Sequence, residues 1–163
     1  MNARTTSSIP VYDRWIGSWQ IRVGRRPLAN EELASRYDRQ ASRWTRLTDR
    51  LGYPRAYRRL LAQFLPETAA DEPQPLRVLD VGTGTGSFSL AFADAWGGAV
   101  DVTGIDLSAS MVEIAAHRFA RAGIASNVVQ GNVTQMPFAA AQFDVVLVAH
   151  ELEHMQDPAA DLA

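Results

Sequence analysis

Apolar positions change their period along this chain. Between residues 30 and 65 they recur at steps of three and four. Leu33, Tyr37, Ala41, Trp44, Thr48 and Leu51 make one helix face, and Tyr57, Leu60, Leu61, Phe64 and Leu65 make a second. Asn30 followed by Glu31 and Glu32 reads as a helix start, a capping side chain and then acids near the positive end of the helix dipole. Gly52 and Pro54 are expected to stop the first helix and Pro66 the second. Residues 71–75, Asp-Glu-Pro-Gln-Pro, read as a linker. Beyond it, short apolar runs at 77–81, 100–105, 125–130 and 143–148 alternate with helix-length segments at 87–96 and 109–122. That alternation predicts an α/β fold, a parallel sheet with helices on both faces. Residues 1–29 show no clear period and are expected to be a partly packed arm, with Trp15, Trp19 and Ile21 among arginines. The organisation predicted is an arm to residue 29, a helical lid at 30–70 and one α/β domain at 76–163.

Charge sharpens this division. All 16 basic residues are arginine, and residues 1–70 hold 13 of them against 6 acids, whereas residues 71–163 hold 3 against 12. The net charge of −2 therefore hides a basic front and an acidic back. An acidic half of this kind argues against nucleic acid lying across it, because duplex binding relies on neutralising phosphates. The absence of cysteine removes disulfides and thiolate metal sites from consideration. No apolar run is long enough to span a bilayer, and the first ten residues lack the apolar stretch of a secretory signal, so a cytoplasmic location is expected.

The chemistry concentrates where the first α/β strand meets its helix. Val78-Leu79-Asp80-Val81 runs into Gly82-Thr83-Gly84-Thr85-Gly86. Such glycines let the backbone turn tightly and approach a ligand, and the following helix offers unpaired N–H groups. Asp80 narrows the ligand: a carboxylate at the strand end repels a pyrophosphate and favours an ammonium group. Asp106 ends the next strand 20 residues beyond Gly86, the distance at which a ribose-binding acid follows a glycine turn. The alternative role for Asp106 is to cap the helix starting near Ala109.

The stretch from Val78 onward resembles the class I S-adenosylmethionine-dependent methyltransferases, in the small-molecule group that includes quinone-biosynthesis enzymes. Residues 78–86 resemble the family's first motif and 104–108 its second-strand motif. Gly131-Asn132-Val133, with Met136-Pro137-Phe138 and Phe143-Asp144-Val145-Val146, resembles the segment beside the adenine. Leu152-Glu153-His154-Met155-Gln156-Asp157-Pro158 resembles the run after the fourth strand. The resemblance implies a Rossmann-like sheet and S-adenosylmethionine as methyl donor. It assigns Asp80, Gly82, Thr83, Gly84 and Gly86 to the methionine part, and Asp106 to the ribose with Leu107 beside it. Asn132 and Val133 go to the adenine, with Met111 packed on it. Asn132 departs from the family's usual Asp, but its carbonyl still offers an acceptor to the adenine amino group. The basic helices resemble the family's N-terminal lid, whose Tyr-Asp pair corresponds to Tyr37-Asp38; the alternative is a plain core aromatic for Tyr37 and a solvated helix face for the arginines.

His150-Glu151-Leu152-Glu153-His154 fits the zinc pattern H-E-x-x-H, but it follows a strand directly and lacks a third ligand nearby, so no metal is expected. No catalytic base stands out; His150 at a strand end is the one tempting candidate. The resemblance implies seven strands, of which four are found, so the expectation is a C-terminally truncated domain with an open fourth-strand edge. On this expectation, either the chain is a fragment of a longer gene product, or a partner chain supplies the missing half and covers that edge. The expected activity is methyl transfer to a small-molecule acceptor of quinone-like or lipid-like character. The arginine-rich lid and Trp44 are expected to suit an acidic or membrane-held substrate. Two alternatives stand beside this reading. One is a non-catalytic cofactor-binding fragment or partner subunit. The other is an NAD-dependent oxidoreductase, which the glycine spacing disfavours.

Overall fold

The computed structural model describes residues 12–16, 19–23, 29–65 and 74–149. In the arm, β1 (Tyr12–Ile16) and β2 (Trp19–Val23) pair antiparallel, with Ile16 opposite Trp19. Sequence reading finds no clear period here, and the hairpin adds a regular element to the arm. The missed signal is a period of two, in which Trp19, Ile21 and Val23 alternate with Gln20 and Arg22.

The lid holds two helices. In α1 (Asn30–Arg50) the cap position belongs to Ala29, whose carbonyl accepts Leu33 N–H at 2.9 Å, and Asn30 is already helical. The expected Asn30 side-chain cap is therefore absent, while Glu31 and Glu32 do occupy the first turn. Gly52 separates α1 from α2 (Tyr53–Leu61), and Pro54 stands in the first turn of α2 rather than in a stop. That position suits it, because the N–H that proline lacks would be unpaired there anyway. Helix α2 ends at Leu61, short of the expected Pro66, which lies outside the described residues together with most of the linker.

The α/β unit runs β3 (Leu76–Val81), α3 (Ser87–Trp96), β4 (Val100–Asp106), α4 (Ala109–Ala122), β5 (Ala125–Gln130), a 3-10 turn (Val133–Gln135) and β6 (Val145–Val148). Its four strands are parallel in the order β5-β4-β3-β6. The winding reverses at β3, the kind of switch point at which parallel sheets open a crevice at their carboxyl ends. Strand β6 is two residues shorter than expected. Phe143 packs edge-on to Phe138, and Asp144 is clasped by Arg77, giving its carboxylate to Arg77 N, Nε and Nη2 at 2.7–3.0 Å. The guanidinium holds the Asp144 carboxyl down at about 2.

The two central strands, β3 and β4, are buried on both faces. Val78 and Val102 join Phe92 and Phe119 on the side of α3 and α4, while Leu79, Val81, Ile105 and Val133 form a second cluster on the other side. Residues two apart on a strand share a face, so Asp80 faces the α3 side with Val78. Val146, on β6 at one end of this sheet, is 55% exposed. No helix among the described residues is long and apolar enough to cross a membrane.

Candidate functional site

The turn after β3 is built by hydrogen bonds that only a closely approaching backbone can make. Gly82 and Thr83 both donate their N–H groups to the Ile105 carbonyl of the neighbouring strand, at 2.9 and 3.0 Å. Gly86 N–H returns to the Thr83 carbonyl at 2.8 Å and closes the loop. Gly86 has φ +74°, and its Cα faces the ring of Phe119 from α4. Here a missing side chain lets α3 start against α4.

Asp80 lies under this turn, 1% exposed. Its Oδ2 accepts hydroxyl hydrogens from Thr83 at 2.9 Å and from Ser89 at 2.6 Å. The carboxylate thus organises both the glycine turn and the first turn of α3. Burial is the strongest influence on it and pushes its carboxyl up to about 6; Ser89 and Thr83 pull the other way, and the Asp106 charge adds to the rise. An unfolded aspartate titrates near about 3.9. The folded chain therefore holds this proton more tightly than the unfolded chain. Asp80's contribution to stability is best below the lower value and is lost as the pH rises through about 6, on the order of 2–3 kcal/mol. Asp80→Asn should remove this dependence. Denaturant unfolding of both chains across that window should show the native chain losing ground to the variant as pH rises, and a constant difference would rule the linkage out.

Asp106 meets the turn from β4. Its Oδ2 accepts Gly84 N–H at 2.8 Å and its Oδ1 accepts Ser108 N–H at 2.9 Å. Both readings of Asp106 therefore have a basis: it supports the chain entering α4, and it stands over the glycine turn. The side-chain cap of α4 is Ser108, whose Oγ accepts Met111 N–H at 3.2 Å. The same hydroxyl donates to Asp38 of the lid at 2.5 Å, and Ser110 N–H donates to Asp38 at 3.1 Å. These two bonds hold the Asp38 carboxyl below its ordinary value. Arg118 makes a second bridge. Its Nη1 donates to Thr85 O, Thr85 Oγ1 and Ser87 Oγ at 2.9–3.1 Å, and its Nη2 reaches Asp49 of α1 at 3.4 Å.

Between lid and sheet lies one cavity. Its floor is Asp80, Gly82, Thr83, Gly84, Thr85, Ser87, Asp106 and Ala149; its walls are Leu107 and Met111 on one side and Leu33, Tyr37, Trp44, Thr48, Tyr53, Tyr57 and Phe88 on the other. Tyr57 sits edge-on between Tyr53 and Phe88, with ring centroids 5.7 and 4.9 Å apart. Among the described residues, two carboxylates and no cationic side chain line the cavity.

Of the residues singled out from sequence, Tyr37, Asp80, Gly82, Thr83, Gly84, Asp106, Leu107 and Met111 come together on this cavity. Gly86, Asn132 and Val133 do not line it. Gly86 packs behind the turn, Val133 is buried in the second core cluster, and the Asn132 side chain accepts Thr134 N–H at 3.0 Å to cap the 3-10 turn. Asn132 is nonetheless next to the site, because Gly131 N–H donates to the Asp106 carbonyl. Tyr37 and Asp38 divide their work, Tyr37 on the cavity wall and Asp38 tied to α4. His150, the H-E-x-x-H segment and the run ending Asp157-Pro158 lie outside the described residues. Among the described residues no group of three His, Cys, Asp or Glu is placed to hold a metal.

Sequence reasoning missed Ser89, Tyr53 and Arg118. Arg118 offered a signal: it is one of three arginines in an acidic half and falls three residues after Ala115, on the flank of the buried stripe Met111, Ala115 and Phe119.

Comparison with known proteins agrees with this geometry. Residues 78–163 match the methyltransferase domain family. A demethylmenaquinone methyltransferase from Renibacterium salmoninarum is 32% identical over 135 residues, covering 82% of this chain and 52% of the relative. A 27-O-demethylrifamycin SV methyltransferase from Amycolatopsis mediterranei is 37% identical over 115 residues, covering 69% of this chain and 36% of the relative. The chain thus spans about half, or less, of the length of these curated relatives. The crystal structure of a SAM-dependent methyltransferase from Aquifex aeolicus shares the fold, with a TM-score of 0.59 at 22% identity over 75% of this chain and 63% of that one. The chain belongs to the class I S-adenosylmethionine-dependent methyltransferases.

Proposed function

We propose that the cavity binds S-adenosylmethionine and that the protein transfers its methyl group to a small-molecule acceptor of quinone-like or lipid-like character. The observation that carries this reading is the convergence of Asp106 Oδ2 on Gly84 N–H at 2.8 Å, with Asp80 buried beneath the same turn. Among the described residues, two carboxylates without a lining cation, together with aromatic walls, suit a ligand with an ammonium and a sulfonium and repel a pyrophosphate.

When bound, the cofactor supplies a methyl group already activated by its positive sulfur. The chain's own task is to hold and orient. Asp80 attracts the ammonium, Gly82 to Gly84 bring backbone close to the methionine part, and Asp106 accepts from the ribose hydroxyls. Leu107 and Met111 supply an apolar wall for the adenine, with Asn132 next to it and Val133 packed behind in the core. Tyr37, Trp44, Tyr53 and Tyr57 keep water from the reacting face, and holding the acceptor in line can supply much of the rate. The acceptor class is supported by the two relatives, named for demethylmenaquinone and for 27-O-demethylrifamycin SV. Cytoplasmic placement belongs to the same proposal.

Isothermal titration with S-adenosylmethionine, S-adenosylhomocysteine and NAD tests the reading. The first two are expected to bind, and more tightly as pH rises through about 6, because a bound cation favours ionised Asp80. Binding of NAD alone would sink it.

A further inference from the structure

We propose that the outer flank of α1 and α2 is a docking surface for an anionic lipid bilayer, and that it seats the mouth of the cavity on the lipid. Among the described residues, the large apolar side chains left exposed are Trp44, Leu47, Leu51, Leu60, Phe64 and Val146. All but Val146 belong to the lid, and Phe64 is 76% and Leu51 64% exposed. Large apolar side chains left exposed in one segment, rather than scattered singly, point to an interaction site.

Helix geometry shows how the surface is arranged. At 100° per residue, Tyr37, Ala41 and Thr48 form the inward face of α1, and Ala41 and Thr48 are buried. Asp38 and Asp49 lie on one flank and are engaged with Ser108, Ser110 and Arg118 of the α4 region. Trp44, Leu47 and Leu51 lie on the other flank. Arg36, Arg43 and Arg50 repeat at steps of seven just beyond that stripe, and all three are exposed. The two acids mid-helix are thus spent inward on α4, and the arginines are left facing outward. None of Arg36, Arg43 and Arg50 has an ion-pair partner among the described residues.

An apolar stripe of Trp, Leu and Phe rimmed by arginines matches the two layers of a bilayer surface, with acyl chains for the stripe and anionic headgroups for the rim. Arginine stems can also lie along apolar surface while the guanidinium stays at headgroup level. Trp44 belongs both to the exposed stripe and to the cavity wall, which places the cavity's mouth at the lipid. Docking follows from the surface alone; its use in delivering an apolar acceptor rests on the methyl-transfer reading above.

The test is co-sedimentation of the full chain with phosphatidylcholine vesicles, with and without phosphatidylglycerol, at low and high salt. Two double variants accompany it, Arg43→Gln with Arg50→Gln and Leu51→Ser with Phe64→Ser, all at exposed positions and checked for folding by circular dichroism. The expected result is binding to the anionic vesicles that high salt weakens. The arginine pair should cost roughly 30-fold in partitioning, about 5-fold for each arginine. The apolar pair should bind more weakly as well. Failure to bind anionic vesicles at low salt overturns the proposal, as does binding by both variants equal to that of the native chain. Self-association in light scattering that the apolar pair abolishes, without vesicle binding, assigns the face to a second copy instead. Titration with S-adenosylmethionine is independent of all these outcomes, so the two readings fail separately.

Discussion

Asp106→Ala is expected to weaken S-adenosylmethionine binding by about 100-fold or more. In the free protein both carboxylate oxygens are positioned by backbone, Oδ2 by Gly84 N–H and Oδ1 by Ser108 N–H. Each oxygen has further lone pairs, so the group is held ready to accept from two ribose hydroxyls. Hydrogen bonds to a charged group are worth about 1.5–3 kcal/mol each, and the loss of two corresponds to two decades or more in affinity. The cost to the fold is expected to be small, about 1 kcal/mol, because Gly84 and Ser108 N–H groups near the cavity can turn to water. Isothermal titration reads the first effect and denaturant unfolding the second. An affinity within a few-fold of the native chain would remove Asp106 from the ligand site and leave it a support for the start of α4.

Gly86→Ala is expected to do the reverse, harming the fold first. A Cβ built there stands 2.7 Å from Phe119 Cζ and 2.9 Å from Cε1. Phe119 is fully buried and has no space to move into. Overpacking a core costs about 1–3 kcal/mol, and a positive φ adds about 1–2 kcal/mol for a residue with a Cβ. Together they amount to about 2–5 kcal/mol, a large share of a domain's stability. Gly97→Ala separates the two causes. Gly97 has the same φ of +74°, yet nothing lies within 4 Å of its added Cβ. It is expected to lose only the conformational part, about 1–2 kcal/mol. Equal losses for the two variants in thermal or urea unfolding would refute the steric account.

Much of the α/β unit could be read locally. Helices α3 and α4 and strand β5 have the boundaries expected from the sequence, because Gly86, Gly97, Ser108 and Gly123 end or start them through their own backbone or side chains. The misses have physical reasons as well. The shortening of β6 follows from Arg77 clasping Asp144, a pair 67 residues apart. The cap of α1 falls on Ala29 because the chain enters there, whatever the merits of Asn30 as a capping residue. The hairpin of the arm was legible only as a short alternation next to several aromatics. Ser89, Arg118 and the Asp38–Ser108 bond join segments distant in sequence, and no periodicity announces them.

What the sequence determined by itself is what depends on neighbours along the chain: the helix and strand periods, the glycine turn between a strand and a helix, the two acids at strand ends and the family they mark. The tertiary structure decided what those acids experience. It buried Asp80 against Ser89 and so pushed its carboxyl up to about 6, and it tied Asp106 to Gly84 and Ser108. It also turned Asp38 and Asp49 of the lid toward α4 and left Arg36, Arg43 and Arg50 outward. Desolvation and hydrogen-bond geometry depend on atoms that only folding brings together, so a carboxylate's place in the chain identifies it, and its surroundings set its chemistry.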